Sequence, residues 1–166
     1  MIINETNIQE FLSEDGKILR CGGLEVTSLT IPETCTCLEE IICSLNFITT
    51  LIIPRKCVEL KKIHCHVNKL TSLEIPDTCT KLENIHCYYN QISTMIIPST
   101  CTNLKYLACD VVDSILIFNN IKFEIDVLIN DDEWDQYKYY REKSEKYLCN
   151  VDAVLSNFRL FSHSFQ

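Results

Sequence analysis

Three histidines lie close together in the middle of this 166-residue chain, and two of them flank a cysteine. His64, Cys65 and His66 are consecutive, and His86 follows 22 positions after His64. Imidazole binds metal ions and changes its charge near neutral pH, so this group could hold a metal or make a pH-sensitive contact. A thiol beside a base could also act as a nucleophile. The choice depends on how the surrounding chain orients these side chains.

The histidines belong to a 22-residue unit that occurs three times. The regular copies cover residues 38–59, 60–81 and 82–103 and share the frame L-x-x-I-x-C-x-x-N-x-[IL]-[TS]-x-[LM]-x-I-P-x-x-C-x-x. A degenerate copy precedes them, with some slippage at Gly22-Gly23, and a fifth begins at Leu104 and then loses the frame. One unit cannot bury its own apolar edge, so the copies are expected to stack into a solenoid.

The segment L-x-x-L-x-C-x-x-N-x-L of each copy resembles the conserved segment of leucine-rich repeat proteins. The match covers roughly residues 16–110, with asparagine at Asn46, Asn68 and Asn90. The resemblance implies a right-handed solenoid, a horseshoe fragment of the α/β class that is mostly β. It also implies a parallel concave sheet, an extended convex side and an asparagine ladder. The repeats are similar to the cysteine-ladder type of internalin-like surface proteins, and such repeats are familiar in large DNA viruses of amoebae.

Most of the eleven cysteines fall into two columns of the repeat. Free cysteine behaves as a small buried hydrophobe, and a linear column of thiols does not converge on a metal, so we predict core residues rather than ligands. The odd count and the absence of an export signal in the first residues favour reduced thiols in the cytoplasm. The predicted core cysteines are Cys21, Cys43, Cys65, Cys87 and Cys109 in one column and Cys35, Cys57, Cys79 and Cys101 in the other.

Segments without the regular frame flank the repeats and are predicted to cap them. Residues 1–15 are expected to form a short helix, with Asn4 or Thr6 as its N-cap. Residues 111–166 are expected to form a C-terminal cap. Within it we predict two strands joined by a tight turn over residues 114–129, a helix over 133–148 that caps the stack or docks a partner, and a second short helix over 152–163.

Strand alternation points every second residue of the cysteine-containing strand away from the core. These outward positions vary between copies, whereas the core positions hardly change, as expected for a recognition surface. His64 and His86 should be neighbours about 5 Å apart, and Cys65 should point to the opposite side. The columns are Glu40, Lys62, Asn84 and Tyr106; Ile42, His64, His86 and Ala108; and Ser44, His66, Tyr88 and Asp110. The predicted partner-binding residues are Glu40, Lys62, His64, His66, Asn84, His86, Tyr88, Tyr106 and Asp110.

The function predicted from these features is a non-enzymatic protein-interaction module without metal or cofactor. A net charge of −8 argues against nucleic acid or an anionic membrane as the main partner and favours a basic or neutral protein surface. No glycine-rich phosphate loop or H-E-x-x-H occurs. A monomer or weak homo-oligomer is expected. The alternatives are a metal- or thiol-dependent enzyme that uses His64, His66 and His86, and a structural or self-assembling protein.

Overall fold

Very short parallel strands joined by turns make up most of the described fold. The computed structural model describes residues 1–109, 114–117 and 124–127. Within these ranges no helix is long and apolar enough to span a membrane. The strands are β1 (Ile2–Ile3), β2 (Ile18–Arg20), β3 (Ser28–Thr30), β4 (Glu40–Ile42), β5 (Thr50–Ile52), β6 (Lys62–His64), β7 (Ser72–Glu74), β8 (Asn84–His86), β9 (Thr94–Ile97), β10 (Tyr106–Cys109), β11 (Ser114–Ile117) and β12 (Glu124–Val127).

The strands alternate between two sides of a stack of coils. The even-numbered strands form one six-stranded parallel sheet in the order β12-β10-β8-β6-β4-β2, called the long sheet below. The odd-numbered strands form two three-stranded parallel sheets, β1-β3-β5 and β7-β9-β11. The chain is therefore a mostly-β parallel solenoid of about five coils, as the repeat predicted.

The spacing of 22 residues holds from the first coil onward. Ile18 pairs with Glu40 in the long sheet, and Ser28 pairs with Thr50 on the other side. The slippage predicted at Gly22-Gly23 is therefore wrong. Leu24 occupies the place that asparagine takes in the later coils, and its backbone N–H donates to the side-chain oxygen of Asn46 at 2.9 Å.

The core lies between the two sides of the stack and includes one central residue of each strand from β2 to β10, along with buried turn residues such as Leu38, Leu60 and Leu82. All of these side chains are buried, and full burial of one such aliphatic side chain stabilises the fold by about 1.5–3 kcal/mol. A single coil cannot enclose its own core side chains, so stability depends on stacking. The long sheet contributes Leu19, Ile41, Ile63, Ile85 and Leu107, and the other side contributes Leu29, Leu51, Leu73 and Met95.

The predicted asparagine ladder is present and connects successive coils. The side-chain amide of Asn68 donates to the carbonyl oxygens of Cys43 and Cys65, both at 3.0 Å. Its Oδ1 accepts the backbone N–H of Ile48 at 2.9 Å. Asn46 and Asn90 repeat this arrangement one coil away on either side. Each asparagine thus satisfies backbone groups at a turn where a regular strand ladder has ended.

Both predicted cysteine columns are buried, and all ten cysteines of the described residues are free thiols. The second column has an order of its own. The thiol of Cys57 donates to the carbonyl of Cys35 at 3.4 Å, and the thiol of Cys79 donates to that of Cys57 at 3.6 Å. Cys101 continues the series with a bond to Cys79. The thiols act as apolar fillers that also satisfy buried carbonyl groups.

Before the first coil, where the sequence predicted a short helix, the structure has a two-residue strand and a single 3-10 turn. β1 pairs with β3, and the 3-10 turn covers Ile8–Phe11. Asn4 and Asn7 bond to nearby backbone groups, and such local bonds favour turns over regular helix. Ile3 and Ile8 are still buried, so this segment does cover the end of the core.

Beyond the last regular copy the solenoid continues with a shorter spacing. The two strands predicted over 114–129 do form, but they belong to different sheets, so the predicted pairing through a tight turn is wrong. β11 pairs with β9, with Ser114 beside Thr94, and β12 pairs with β10, with Glu124 beside Tyr106. Paired residues are 20 positions apart in the sequence between β9 and β11, and 18 positions apart between β10 and β12. The helices predicted over 133–148 and 152–163 lie outside the described residues.

A column of alternating charge runs along the edge where each long-sheet strand begins. Lys17, Glu39, Lys61, Glu83 and Lys105 follow one another at intervals of 22 residues. Glu39 accepts from Lys17 at 2.9 Å and from Lys61 at 2.5 Å, and Lys105 lies 3.1 Å from Glu83. Hydrogen bonds from Lys61 and then Lys17 lower the pKa of Glu39 to about 2.

Candidate functional site: the outer face of the long sheet

The predicted binding residues that the structure describes lie on the outer surface of the long sheet. Glu40, Lys62, Asn84 and Tyr106 pair laterally in one column, and His64 pairs with His86 in the next. His66 and Tyr88 each lie two residues beyond the end of a long-sheet strand. We call these eight residues the histidine face. They occupy equivalent positions in successive coils, so the repeat alone sets their register.

Aromatic rings on this face stack on one another across the strands. The rings of His64 and His86 lie 4.7 Å apart at an interplanar angle of 21°, and Tyr106 continues the row at 5.0 Å from His86. A second row pairs His66 with Tyr88 at 4.6 Å and 8°. These separations match the spacing of parallel strands, about 4.8 Å. The stacking leaves ring edges, with their nitrogen and hydroxyl groups, as the parts that can meet a ligand.

Glu40 and burial together set the charge of the His64–His86 pair. The nearest Glu40 oxygen lies 3.5 Å from Nε2 of His64. Partial burial lowers the pKa of His64, the proximity of His86 lowers it further, and Glu40 opposes the shift. Burial also lowers the pKa of His86. Burial thus favours the neutral form of both rings, and the Glu40 carboxylate opposes this shift at His64.

His66 is held in its neutral form by its surroundings. Its Nδ1 is buried and has no hydrogen-bond partner among the described residues. Burial and the neighbouring His86 lower its pKa. A proton on a buried, unpaired nitrogen is costly, so the surroundings favour neutral His66.

Not every side chain that alternation places on the outer side of the long sheet reaches solvent. Ser44, at 6% exposure, and Ala108, at 0%, are buried, although strand alternation places both on the outer side. Their side chains are short, so neighbouring larger side chains cover them. Asp110, which the sequence also predicts as a binding residue, lies outside the described residues.

Thiol chemistry with the flanking histidines is not possible in this geometry. Cys65 is fully buried, and burial raises the pKa of its thiol to about 12. Its side chain points into the core, away from His64 and His66, as strand alternation predicted. The described residues also contain no group of three or more His, Cys, Asp or Glu side chains placed to hold a metal ion.

A second column beside the face was not predicted from the sequence. Leu45, Val67 and Tyr89 each have φ between 54° and 58°, in the left-handed region that non-glycine residues rarely adopt. In the first coil the same place is taken by Gly23, with φ of 70°. We call these four residues the left-handed column. Gly23 immediately precedes the repeat position that asparagine holds in the later coils. This glycine is the sequence signal that could have revealed the left-handed column.

Fold and face together define a class: a parallel β-solenoid of stacked 22-residue coils with an aromatic, histidine-rich sheet face. No protein-family model matches the chain, and no curated protein matches it.

Proposed function

We propose that this protein is a non-enzymatic protein-interaction module that binds its partner through the histidine face. The observation that carries the proposal is the pair of stacked ring rows on one sheet surface. Tyrosine and other rings with a polar edge are enriched at binding hot spots because they offer both apolar area and hydrogen bonds. The side chains that line this face are partly exposed, so a partner can reach them.

Rigid display is the mechanism. Each ring is held by a neighbour on the next strand, and each strand is tied to its neighbour by backbone bonds and by asparagine side chains. Side chains that are already ordered lose less conformational entropy on binding. The scaffold thus raises affinity without adding contacts.

We further propose that the solenoid is of the leucine-rich repeat type, with the long sheet as its concave side. The asparagine ladder after each long-sheet strand supports this assignment, since the family places its asparagine there. Among the described residues, nine buried thiols pack without disulfides, which suits a reducing compartment, and we propose the cytoplasm. We propose that the protein acts as a monomer or weak homo-oligomer, and sedimentation over a range of concentrations tests this.

Affinity capture from cell extract tests the binding face. The variant Tyr88→Ala/Tyr106→Ala should lose the captured partners, with affinity reduced at least about tenfold, because two central rings are removed. The matched control is Ile52→Ala/Ile96→Ala, which removes two exposed large side chains from the opposite side and should keep every partner. Circular dichroism verifies that both variants fold. Retention of the same partners at the same strength by the tyrosine variant would refute the assignment.

A further inference from the structure

A cleft of about 710 Å³ lies at the N-terminal end of the stack, on the side of the odd-numbered strands. Three segments line it: Glu5 and Thr6 before the first coil, residues 30–34 of the first coil, and Ile52 and Pro54 of the second. Ligand pockets in proteins commonly have a volume of this size. The lining includes two carboxylates, three threonine hydroxyls and apolar side chains, but no cation. A ligand that joins positive charge to apolar surface would match this lining.

The cleft exists because the turn after β3 has no complete neighbouring turn before it. β1 pairs with β3 only as far as Ile3. The backbone N–H of Asn4 then donates to the side chain of Asn7, and the N–H of Thr6 donates to the side chain of Asn4. The chain thus turns back on itself instead of following the next coil. One side of the first coil's turn is left open to solvent.

A later coil shows what the same turn can hold. The dipeptide Glu33-Thr34 of the first coil has its equivalent two coils later in Asp77-Thr78. Both carboxylate oxygens of Asp77 accept from the Arg55 guanidinium, at 2.7 and 3.1 Å. The Thr78 hydroxyl donates to the Arg55 backbone carbonyl at 2.6 Å. An acid followed by threonine therefore binds both the side chain and the backbone of an arginine in the coil before it.

The threonine of this turn makes the same contact one coil further along. The hydroxyl of Thr100 donates to the backbone carbonyl of Asp77. Thr34 has no complete preceding coil, and its hydroxyl contacts the thiol of Cys35 instead. A peptide carbonyl placed beside Thr34 in the cleft would supply the acceptor that Arg55 supplies to the later coil.

The two carboxylates of the cleft can accept a cation. Glu33 lies 3.9 Å from Lys56 of the following coil, whereas the other Lys and Arg ion pairs of the described residues are 2.5 to 3.1 Å long. None of the described ion pairs includes Glu5. A guanidinium presents paired donors that fit a carboxylate better than an ammonium does.

We propose that this cleft binds an extended, arginine-containing peptide segment of a partner protein, in the way that the coil of residues 60–81 binds Arg55. The guanidinium would bond to Glu33, with Glu5 adding negative charge, and the arginine carbonyl would accept from Thr34. Apolar neighbours of the arginine would cover the apolar part of the lining. The net charge of −8 favours such a basic segment. The cleft lies on the opposite side of the stack from the histidine face, so this inference does not depend on the proposed function.

Fluorescence anisotropy with the labelled peptide LIIPRK, which copies residues 51–56, tests the proposal on the full chain. The peptide LIIPQK should bind at least about threefold more weakly, because it lacks the guanidinium. The variant Glu5→Gln/Glu33→Gln should weaken LIIPRK binding about three- to tenfold. The matched control Glu10→Gln/Glu14→Gln removes two exposed carboxylates of the same segment outside the cleft and should change affinity less than about twofold.

Thr34→Val keeps the shape of the cleft and both carboxylates but removes the hydroxyl. It should weaken LIIPRK binding about two- to fivefold, because the peptide carbonyl loses its donor. Circular dichroism verifies that each variant folds. Equal binding of the two peptides would overturn the proposal, as would equal weakening by the glutamate variant and its control, unchanged binding by Thr34→Val, or no binding of LIIPRK at about 1 mM.

The variants of the histidine face separate this site from the proposed function. Tyr88→Ala/Tyr106→Ala alters the other side of the stack and should bind LIIPRK like the wild type. Ile52→Ala/Ile96→Ala keeps the carboxylates and the threonine of the cleft and should still bind the peptide. Loss of captured partners by the tyrosine variant, with no binding of LIIPRK to any form, would leave the histidine face standing and remove only the cleft.

Discussion

The two sides of the solenoid differ in continuity. The long sheet pairs six strands without interruption, whereas the opposite side is divided between β5 and β7. The packing differs in the same way. Leu51 and Ile53, in and beside β5, are 9% and 7% exposed, while Ile41 and Ile63 of the long sheet are fully buried. β5 and β7 have three residues each, as do β4 and β6 of the long sheet, so strand length does not explain the difference.

Side-chain bonds at the strand ends account for the continuity of the long sheet. The asparagine amides bond to carbonyls where its strands end, and the Lys–Glu column links the residues before its strands. Backbone hydrogen bonds between neighbouring coils also continue beyond its strands. The N–H of Cys43 donates to the carbonyl of His64, and the N–H of Leu45 donates to the carbonyl of His66. Short strands therefore pair continuously where their ends are tied.

The largest expected effect comes from removing one ladder asparagine. Asn68→Ala should lower the free energy of unfolding by about 2–4 kcal/mol, because several buried backbone groups lose their partner at once. Urea denaturation measures this change. Asn84→Ala, on the outer face of the same sheet, is the control and should cost less than about 0.5 kcal/mol. Equal losses would mean that the ladder does not tie the long sheet.

The two cysteine columns should respond differently to the same substitution. Cys65→Ser buries a hydroxyl in an apolar position and should cost about 1–3 kcal/mol. Cys79→Ser should cost less than half as much, since its hydroxyl can donate to the Cys57 carbonyl that the thiol already contacts. Thermal unfolding of both variants gives the comparison. A greater loss for Cys79→Ser would contradict the role given to that bond.

Hydrogen exchange tests the division between β5 and β7 directly. The backbone N–H of Thr49 donates to the carbonyl of Thr27, and that of Ile31 donates to the carbonyl of Ile52. One coil further along, the backbone N–H groups of Thr71 and Ile53 make no equivalent bond among the described residues. The amides of Thr71 and Ile53 should exchange at least about tenfold faster than those of Thr49 and Ile31. Each pair has the same residue type, so the comparison needs no variant. Similar protection would show that both sides are continuous.

The turns that join the two sides contain removable strain. Val67→Gly should raise the free energy of unfolding by about 0.5–1 kcal/mol, because glycine adopts a φ of 55° without steric cost. Gly23→Ala is the reciprocal change. A Cβ at Gly23 meets no atom within 4 Å, so no steric clash contributes, and the backbone strain should cost about 1 kcal/mol. Chemical denaturation measures both, and a stability loss in Val67→Gly would disprove the account.

The smallest effect concerns pH. The pKa values of His64, His66 and His86 are lowered in the folded state below the ordinary value of 6.5, with burial as the main cause. The unfolded chain therefore takes up protons first, and stability should fall as the pH drops from about 6.5 toward the folded values. Melting temperature against pH should flatten in that window for His64→Phe/His86→Phe. A stability loss confined to the range between 4.5 and about 2, where Glu39 titrates, would exclude the histidines.

The repeat frame was sufficient to predict the solenoid, its register and the column of neighbouring histidines. Identical spacing makes residues at equivalent positions neighbours, so the His64–His86 contact followed from counting. Burial of Cys65 followed from alternation. Predictions were most reliable where the sequence repeats.

Where the frame is lost, alternation shows that a strand forms but not which strand it pairs with. The strands β11 and β12 were predicted as a pair for this reason, although they extend two different sheets. The division between β5 and β7 has no sequence signal, because Leu51 and Leu73 are the same residue type. The exposure of Leu45 and the burial of Ser44 depend on neighbouring side chains and on a left-handed turn that local pattern does not encode.

The alternating Lys–Glu column also constrains how the gene for such a solenoid can change length. Deletion of one 22-residue unit would bring two like charges side by side at the strand edge, whereas deletion of two units would keep lysine next to glutamate. The coils stack with a period of one coil, but the charges of the Lys–Glu column repeat with a period of two coils. Gain or loss of repeats in multiples of 44 residues would leave this edge intact.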